Sequence, residues 1–334
     1  MMRTQVNNQP LYIGIDLGGT NIVCGAVTAD GDVLHKIKQP TETSKGSDYV
    51  INKIANMVKE IVRLAANDGS PQAVGLGCPG LVDPSRGIAI GASNLGWYNI
   101  EAARILASLT SLPVYVDNDV RMYVYGEAMI GAGKPYNHVL GVTLGTGLAC
   151  AYSVKGQLFY GNGFMAGELG HIRGAGIQYA CNCGKTGCYE TVLSATGIVR
   201  QAIEQLERGR DSVLRVKYNN EDYSRLTAAD VSEGYDQHDP LCIEVMHHTG
   251  HTLGHALAAA GTLYSPDVII VGGGASNAGE RLLAPARETL YAELLPGLAE
   301  AITLTTAALT DDAGVIGSAL FASQRYHSKE AEQV

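Results

Sequence analysis

Three cysteines, Cys181, Cys183 and Cys188, fall within eight residues in the segment HIRGAGIQYACNCGKTGCYE, which opens at His171 and closes at Glu190. Three thiols and an imidazole at that spacing are the complement of a tetrahedral zinc site. Four protein ligands leave no open position, so zinc here is expected to be structural and not a Lewis acid. His171 is the expected fourth ligand, with some other residue as the alternative. Glu168 lies three residues before His171 and Glu190 two after Cys188. A metal that takes one ring nitrogen leaves the other for a hydroxyl and fixes both carboxylates beside it. Carboxylate, imidazole and carboxylate in one rigid patch suit a polyol such as a sugar. Exposed glutamates beside a metal loop are the plainer alternative.

A second kind of chemistry is written in glycine. Asp16 to Asn21 reads DLGGTN, in which Gly18 and Gly19 let backbone N–H groups face a phosphate, and Thr20 and Asn21 add donors. Asp16 could hold a magnesium-bound water. Alone this is a hairpin turn, but a copy exists: Gly14, Leu17 and Gly18 match Gly141, Leu144 and Gly145 at one constant offset. Two such hairpins, Gly18-Gly19-Thr20 and Gly145-Thr146-Gly147, can clamp one polyphosphate from opposite sides of a cleft. A third glycine run, Gly272-Gly273-Gly274, follows DVIIV at a strand-to-helix switch, where a nucleotide could bind. It also reads as a plain βα turn. No Walker loop occurs.

The candidate base is Asp119, in VDNDVRMYVYGEA. Asn118 and Asp119 fall where a strand ends and a helix begins, which in isolation is an N-cap. In a cleft the same position offers Asn118 to a hydroxyl and Asp119 as the group that takes a proton while phosphate is attacked. Asp117 competes, but strand alternation points it away from Asn118.

The elements that must position these residues follow from pattern. Each glycine segment reads as strand, glycine turn, strand, turn (Asp30-Gly31, Lys155-Gly156), strand. Two related α/β domains, each opening with a β-hairpin, are therefore expected. Amphipathic helices lie between, as in YVINKIANMVKEIVRLAAN from Tyr49. A long apolar helix is predicted over Leu241 to Tyr264 and a last one over Ala313 to Tyr326. Residues 209–236 read as an irregular surface excursion, and the tail after His327 as frayed. His247, His251 and His255 recur on one helix face without an interleaved acid, so a structural or interface role is expected there.

Composition excludes other classes. With 334 residues, 46% of them hydrophobic, the chain can form two real cores. A net charge of -9 without basic runs argues against a nucleic-acid surface. The start of the chain shows neither an apolar signal region nor a membrane span, so a cytoplasmic location without a membrane partner is expected. Of seven cysteines, Cys24, Cys78, Cys150 and Cys242 are scattered and expected in cores.

Together these residues resemble the ROK family (repressor, open reading frame, kinase), over Leu11 to Tyr326. GIDLGGTNI and GVTLGTG look like its two phosphate motifs, and VIIVGGGAS its adenosine motif. GCPGLVD, with Gly80, and NLGWYNI, with Asn94, look like its sugar-side loops. VDNDV looks like its catalytic pair, and GELGHI with CNCGKTGCYE its zinc and sugar motif. Arg121 stands where many members have asparagine, and Ala149 and Ala151 where glycines are usual.

The resemblance implies two actin-like (ribonuclease H-like) ATPase domains separated by a cleft, with a structural zinc motif. The expected boundaries are 1–118 with 311–334 returning as a last helix, and 119–310. It implies Asp119 as base, Gly80, Asn94, Asn118, Glu168, His171 and Glu190 on the sugar, and ATP with magnesium on the glycine loops. It also implies a homodimer or homotetramer. Few residues precede YIGID, so the helix-turn-helix of the family's repressors is not expected. Within the family the NLGWYNI loop and the Glu168/Glu190 pair are most similar to zinc-containing bacterial glucokinases, which make glucose 6-phosphate. Kinases for N-acetylmannosamine, N-acetylglucosamine, fructose or allose share the same set, a non-catalytic sugar-responsive regulator is a further alternative, and polyphosphate is an alternative donor.

Overall fold

The two glycine-punctuated segments fold as the opening hairpins of two separate sheets. The structure, a computed structural model, describes residues 9–218 and 222–332. In the first sheet β2 (Asn21–Thr28) runs antiparallel to both β1 (Gln9–Leu17) and β3 (Val33–Pro40), and β4 (Gly69–Cys78) lies parallel to β1 on its other side. A three-stranded sheet of β5 (Leu81–Asp83), β6 (Ile88–Ala92) and β7 (Trp97–Ile100) interrupts before β8 (Val114–Asn118) adds parallel to β4. The first sheet thus has the order β3-β2-β1-β4-β8.

The second sheet repeats this plan with β9 (His138–Leu144), β10 (Leu148–Val154), β11 (Gln157–Leu158), β12 (Val268–Gly272) and β13 (Thr303–Thr306), in the order β11-β10-β9-β12-β13. In both sheets the first strand pairs parallel with the fourth and the fourth with the fifth. Leu17 and Leu144, which match in sequence, each end a first strand. The turns at Gly31 and Gly156 form as expected, with left-handed φ of 93° and 72°. Central β12, VIIVG, is buried at every position, as a strand covered on both faces must be, whereas edge strand β3 alternates and exposes Lys36 and Lys38.

The helix Ala313–Glu332 packs directly on the first sheet. A Cβ on Gly14 would stand 1.9 Å from Val315 O, and one on Gly75 1.8 Å from Ser318 O. These two strand glycines serve the approach of a helix. The same helix meets the helix Asp119–Met129 so closely that a Cβ on Gly317 would lie 1.7 Å from Met122 O.

That contact explains where the chain divides. One compact unit comprises the residues up to Pro135, Ser153–Ala166 and those from Ala308 onward; the other comprises Tyr136–Tyr152 and Gly167–Ala307. The expected break at 118/119 differs because the helix Asp119–Met129 is held to Ala313–Glu332 of the first unit. Each unit has its own core, one around Ile13, Ile54 and Leu76, the other around Leu253, Ile269 and Leu290. Cys24, Cys78, Cys150 and Cys242 are all buried, as expected.

Helices Ser47–Leu64 and Pro240–Tyr264 match their apolar periodicities. Residues 209–236 do not form an irregular excursion: apart from 219–221, which lie outside the described residues, they include helices Val213–Lys217 and Ala228–Asp236. A Thr227/Asp230 capping box starts the latter, and Leu214, Leu226 and Val231 are buried. The charges misled because Asp230 gathers Lys217, Tyr218 and Thr227 onto one carboxylate. The last helix runs on to Glu332, past the expected fraying at His327. Among the described residues no helix is long and apolar enough to cross a membrane.

Candidate active site

In the first unit, β1 carries Asp16 to the mouth of the first hairpin. Gly18 N–H donates to Asn21 O at 2.9 Å and closes the turn. Thr41, wholly buried, holds the loop from behind: its hydroxyl donates to Gly18 O at 2.6 Å and its N–H to Thr20 O at 2.8 Å. This residue escaped the sequence reading, because nothing local to Thr41 announces a partner two strands away. Thr20 and Gly19 are exposed, and the Asn94 amide lies 3.6 Å from where a Cβ on Gly19 would stand. Burial, and then the charge of Asp119, push the Asp16 carboxyl up to about 7.

Asn118 ends β8 and caps the helix Asp119–Met129, accepting the Arg121 N–H on Oδ1 at 3.1 Å. The cap leaves its amide nitrogen free to reach Gly80 O at 3.0 Å and Asp119 Oδ1 at 2.9 Å. Val120 N–H also donates to Asp119 Oδ1, at 2.9 Å. Gly80 needs its left-handed φ of 82°, and a Cβ there would meet Gly91 O at 2.1 Å. Capping and catalysis are therefore compatible readings of one turn. Burial raises the Asp119 carboxyl to about 6, against the lowering effect of the backbone N–H groups, the Arg121 charge and the Asn118 amide.

The competing carboxylate is already occupied. Asp117 is fully buried; its Oδ1 accepts Arg121 Nε at 2.6 Å and Asn118 N–H at 2.7 Å, and its Oδ2 accepts Tyr160 O–H at 2.8 Å. Both of its oxygens are thus committed to protein donors.

In the second unit, Gly145 N–H donates to Gly147 O and Ala195 N–H to Gly145 O, both at 2.9 Å, so the second hairpin is anchored on the start of the helix Ala195–Glu207. His171, Cys181, Cys183 and Cys188 bring one ligand atom each within 4.8 Å of one another. His171 Nδ1 faces Cys181 Sγ at 3.7 Å, while its Nε2 lies 3.8 Å from Glu168 Oε2. One ring nitrogen is thus turned to the thiols and the other away from them. Burial, followed by the two neighbouring thiols, pushes the Cys188 thiol up to about 12, a cost that a bound cation would reverse. Donor type, number and spacing fit zinc.

Glu190 joins this cluster to the hairpin. Its Oε2 accepts Leu148 N–H at 3.0 Å, and its Oε1 lies 3.8 Å from Cys181 Sγ. A Cβ on Gly147 would stand 2.5 Å from Glu190 Oε2, so a side chain at 147 would push the carboxylate from this position. At the third glycine run, Gly272 ends β12 and Gly273 passes Leu144 so closely that a Cβ would lie 2.6 Å from its carbonyl oxygen. Gly274 then lines a cavity of about 290 Å³ with Ala275, Asn277, Ser232 and Met246.

The histidine face of Pro240–Tyr264 does not converge. His251 bonds Thr289 at 2.8 Å, His247 meets Tyr235 at 3.3 Å, and His255 lies 3.7 Å from Glu293. Among the described residues the His171 group is the metal-ligand cluster.

One strand order built twice, each time opening on a glycine hairpin, marks the actin-like two-domain α/β class. The model of the ROK family matches residues 12–325, and the chain belongs to that family. It is 37% identical to a glucokinase of Halalkalibacterium halodurans over 96% of this chain and 97% of that one. It is 32% identical to a glucokinase of Thermotoga maritima, over 94% and 97%. A crystal structure of a ROK family glucokinase from Streptomyces griseus, in complex with glucose and AMPPNP, superposes with a TM-score of 0.81 at 30% identity, covering 94% of this chain and 99% of that one.

Proposed function

We propose that the protein is a hexokinase-type sugar kinase that transfers the γ-phosphoryl group of ATP to glucose, giving glucose 6-phosphate and ADP. The observation that carries this reading is the division of labour at the end of β8. Asp117 is consumed by structure, whereas Asp119 carries a carboxyl whose pKa near 6 suits a base at neutral pH.

Asp119 takes the proton of the sugar 6-hydroxyl as that oxygen bonds the γ-phosphorus. The bond from phosphorus to the bridging oxygen breaks, and ADP departs with the electron pair. Asn118, held by Gly80 O, and Asn94 orient hydroxyls beside the base. Glu168, the outward Nε2 of His171, and Glu190 hold the rest of the sugar. N–H groups of Gly18, Gly19, Thr20 and Asn21, and those of Gly145, Thr146 and Gly147, bind phosphate oxygens, and the Gly272–Gly274 turn with its cavity takes the adenosine. Magnesium bound with ATP would neutralise phosphate charge, and Asp16 would hold one of its waters. His171, Cys181, Cys183 and Cys188 would hold a zinc whose role is structural.

A homodimer or homotetramer, a cytoplasmic location and a place in glycolysis belong to the same reading, supported by the family likeness. The test is ADP release from ATP and magnesium with glucose, N-acetylmannosamine, N-acetylglucosamine, fructose and allose, beside a control without sugar. Preference for glucose is expected. Turnover confined to an acetylated sugar would replace the substrate, and silence with every sugar would replace the enzyme with a regulator.

A further inference from the structure

Arg121 has no part in the transfer described above, yet the residue is 4% exposed and its guanidinium is engaged on three sides. Nε bonds Asp117 Oδ1 at 2.6 Å, Nη1 donates to Phe164 O at 3.0 Å, and the guanidinium carbon lies 5.2 Å from the centre of the Tyr160 ring. Tyr160 closes the circuit by donating to Asp117 Oδ2 at 2.8 Å. Nη2 is buried without a protein partner among the described residues, a cost a packed apolar side chain would not carry.

The two ends of this network matter. One is the turn that bears the candidate base: Asp117 precedes Asp119 by two residues, Arg121 follows it by two, and the Arg121 N–H is itself bonded to Asn118 Oδ1. The other is the loop Tyr160–Ala166, whose backbone is left-handed at Gly161, Gly163 and Phe164 (φ 64°, 62° and 63°). A left-handed conformation at a phenylalanine persists only where surrounding bonds impose it. The bond from Nη1 to Phe164 O is such a restraint, together with the Ala166 N–H to Tyr160 O bond at 3.0 Å. Two residues beyond Ala166 the chain reaches Glu168.

We propose that Arg121 is a positioning residue for phosphoryl transfer, a buried guanidinium latch that fixes the Asn118–Asp119 turn and the Tyr160–Ala166 loop in one mutual arrangement. The latch sets the base and this loop together, and it keeps both Asp117 oxygens occupied and Asp117 out of the reaction. The groups facing the guanidinium are Asp117 from β8, Tyr160 and the Phe164 carbonyl from the loop, with Asp119 of the same turn in its field. A lysine at this position keeps the charge but cannot bond Asp117 and Phe164 O in one plane.

The inference rests on Asp119 acting as the base, and the experiment separates the two. Arg121→Lys, Arg121→Met and Tyr160→Phe are made in the full chain, with ADP release from ATP and glucose, thermal melting, and hydrogen exchange of the peptide spanning Tyr160–Gly167 measured on each. In Arg121→Met, kcat per folded molecule is expected to fall about a hundredfold, the scale set by small misplacements of reacting groups, with KM for ATP within about twofold of the parent. Arg121→Lys is expected to recover about tenfold of that loss, and exchange in the Tyr160–Gly167 peptide to quicken about tenfold in Arg121→Met while Ser47–Leu64 stays protected. Unchanged kcat per folded molecule, or parental protection of that peptide, would overturn the latch. Should Arg121→Met fail to fold, Arg121→Lys and Tyr160→Phe must show the same two effects in reduced size or the latch is rejected. If the parent phosphorylates no sugar, the kinase reading falls, while hydrogen exchange still decides the latch.

Discussion

Glu190 accepts the Leu148 N–H at 3.0 Å, across 42 residues of sequence, and so ties the helix after the cysteine loop to the second glycine hairpin. Its other oxygen lies 3.8 Å from Cys181 Sγ. A residue first singled out for a sugar therefore stands between the metal-ligand cluster and the second glycine hairpin. Any change that frees the cluster is transmitted through one carboxylate to the backbone of the hairpin.

Removal of zinc tests that transmission. Chelated, metal-free protein is expected to lose more than about 5 °C in Tm and to show raised KM for both glucose and ATP, because the Cys181–Cys188 loop that leads into Glu190 loses its tether to His171. Metal content by atomic spectroscopy, followed by melting and kinetics on the same sample, checks it. A metal-free sample with parental heat stability and parental kinetics contradicts a structural zinc.

Gly147→Ala probes the same joint from the hairpin side. The added methyl would stand 2.5 Å from Glu190 Oε2, so either the carboxylate leaves Leu148 or the loop shifts. KM for ATP is expected to rise about tenfold, with about 1–2 kcal/mol lost in stability. Urea unfolding and ATP titrations at saturating glucose measure the two effects.

Thr41→Val removes the hydroxyl that bonds Gly18 O at 2.6 Å behind the first hairpin. Shape is nearly kept, so the expected loss of about 1–2 kcal/mol reports the orphaned carbonyl alone. KM for ATP should rise while KM for glucose stays near the parental value. Equal effects on both would point to general loosening.

The raised carboxyl pKa values fix the direction of two pH dependences. Asp119 must be ionised to accept a proton, so kcat/KM for glucose should rise with pH along an acid limb centred near 6. Stability runs the opposite way. Folding raises Asp16 from 3.8 to about 7 and Asp119 from 3.8 to about 6, so the folded state holds more protons than the unfolded one above pH 4. The metal-free protein thus loses their contribution as pH climbs from about 4 toward 7. Asp119→Asn should flatten part of that slope, measured as the difference in Tm between variant and parent at each pH.

Much of this was legible in the chain because it is local. Strand, glycine turn and strand recur at one offset, and Cys-x-Cys-x4-Cys announces its ligands by spacing, so both hairpins and the metal cluster could be placed before any contact was known. Three relationships could not. Thr41 against Gly18, Glu190 against Leu148 and Arg121 against Phe164 O are single bonds between distant residues of ordinary type, set by packing. The helix that Gly14 and Gly75 admit was equally out of reach, since a glycine that admits a helix and one that admits a phosphate look alike in sequence. Residues 209–236 were misread because their many charges hide a short apolar set, Leu214, Leu226 and Val231, that is buried, and because Asp230 bonds Lys217, Tyr218 and Thr227.

The central claim is that Asp119, and not Asp117, is the base, and the substitution Asp119→Asn addresses it most directly. The amide keeps the size of the side chain and can still accept the Val120 N–H, so folding should be preserved. At saturating ATP and magnesium, kcat for glucose is expected to fall by about 10²–10⁴-fold, with glucose affinity by titration within a few-fold of the parent. A folded Asp119→Asn protein that turns over glucose within about tenfold of the parent would contradict it.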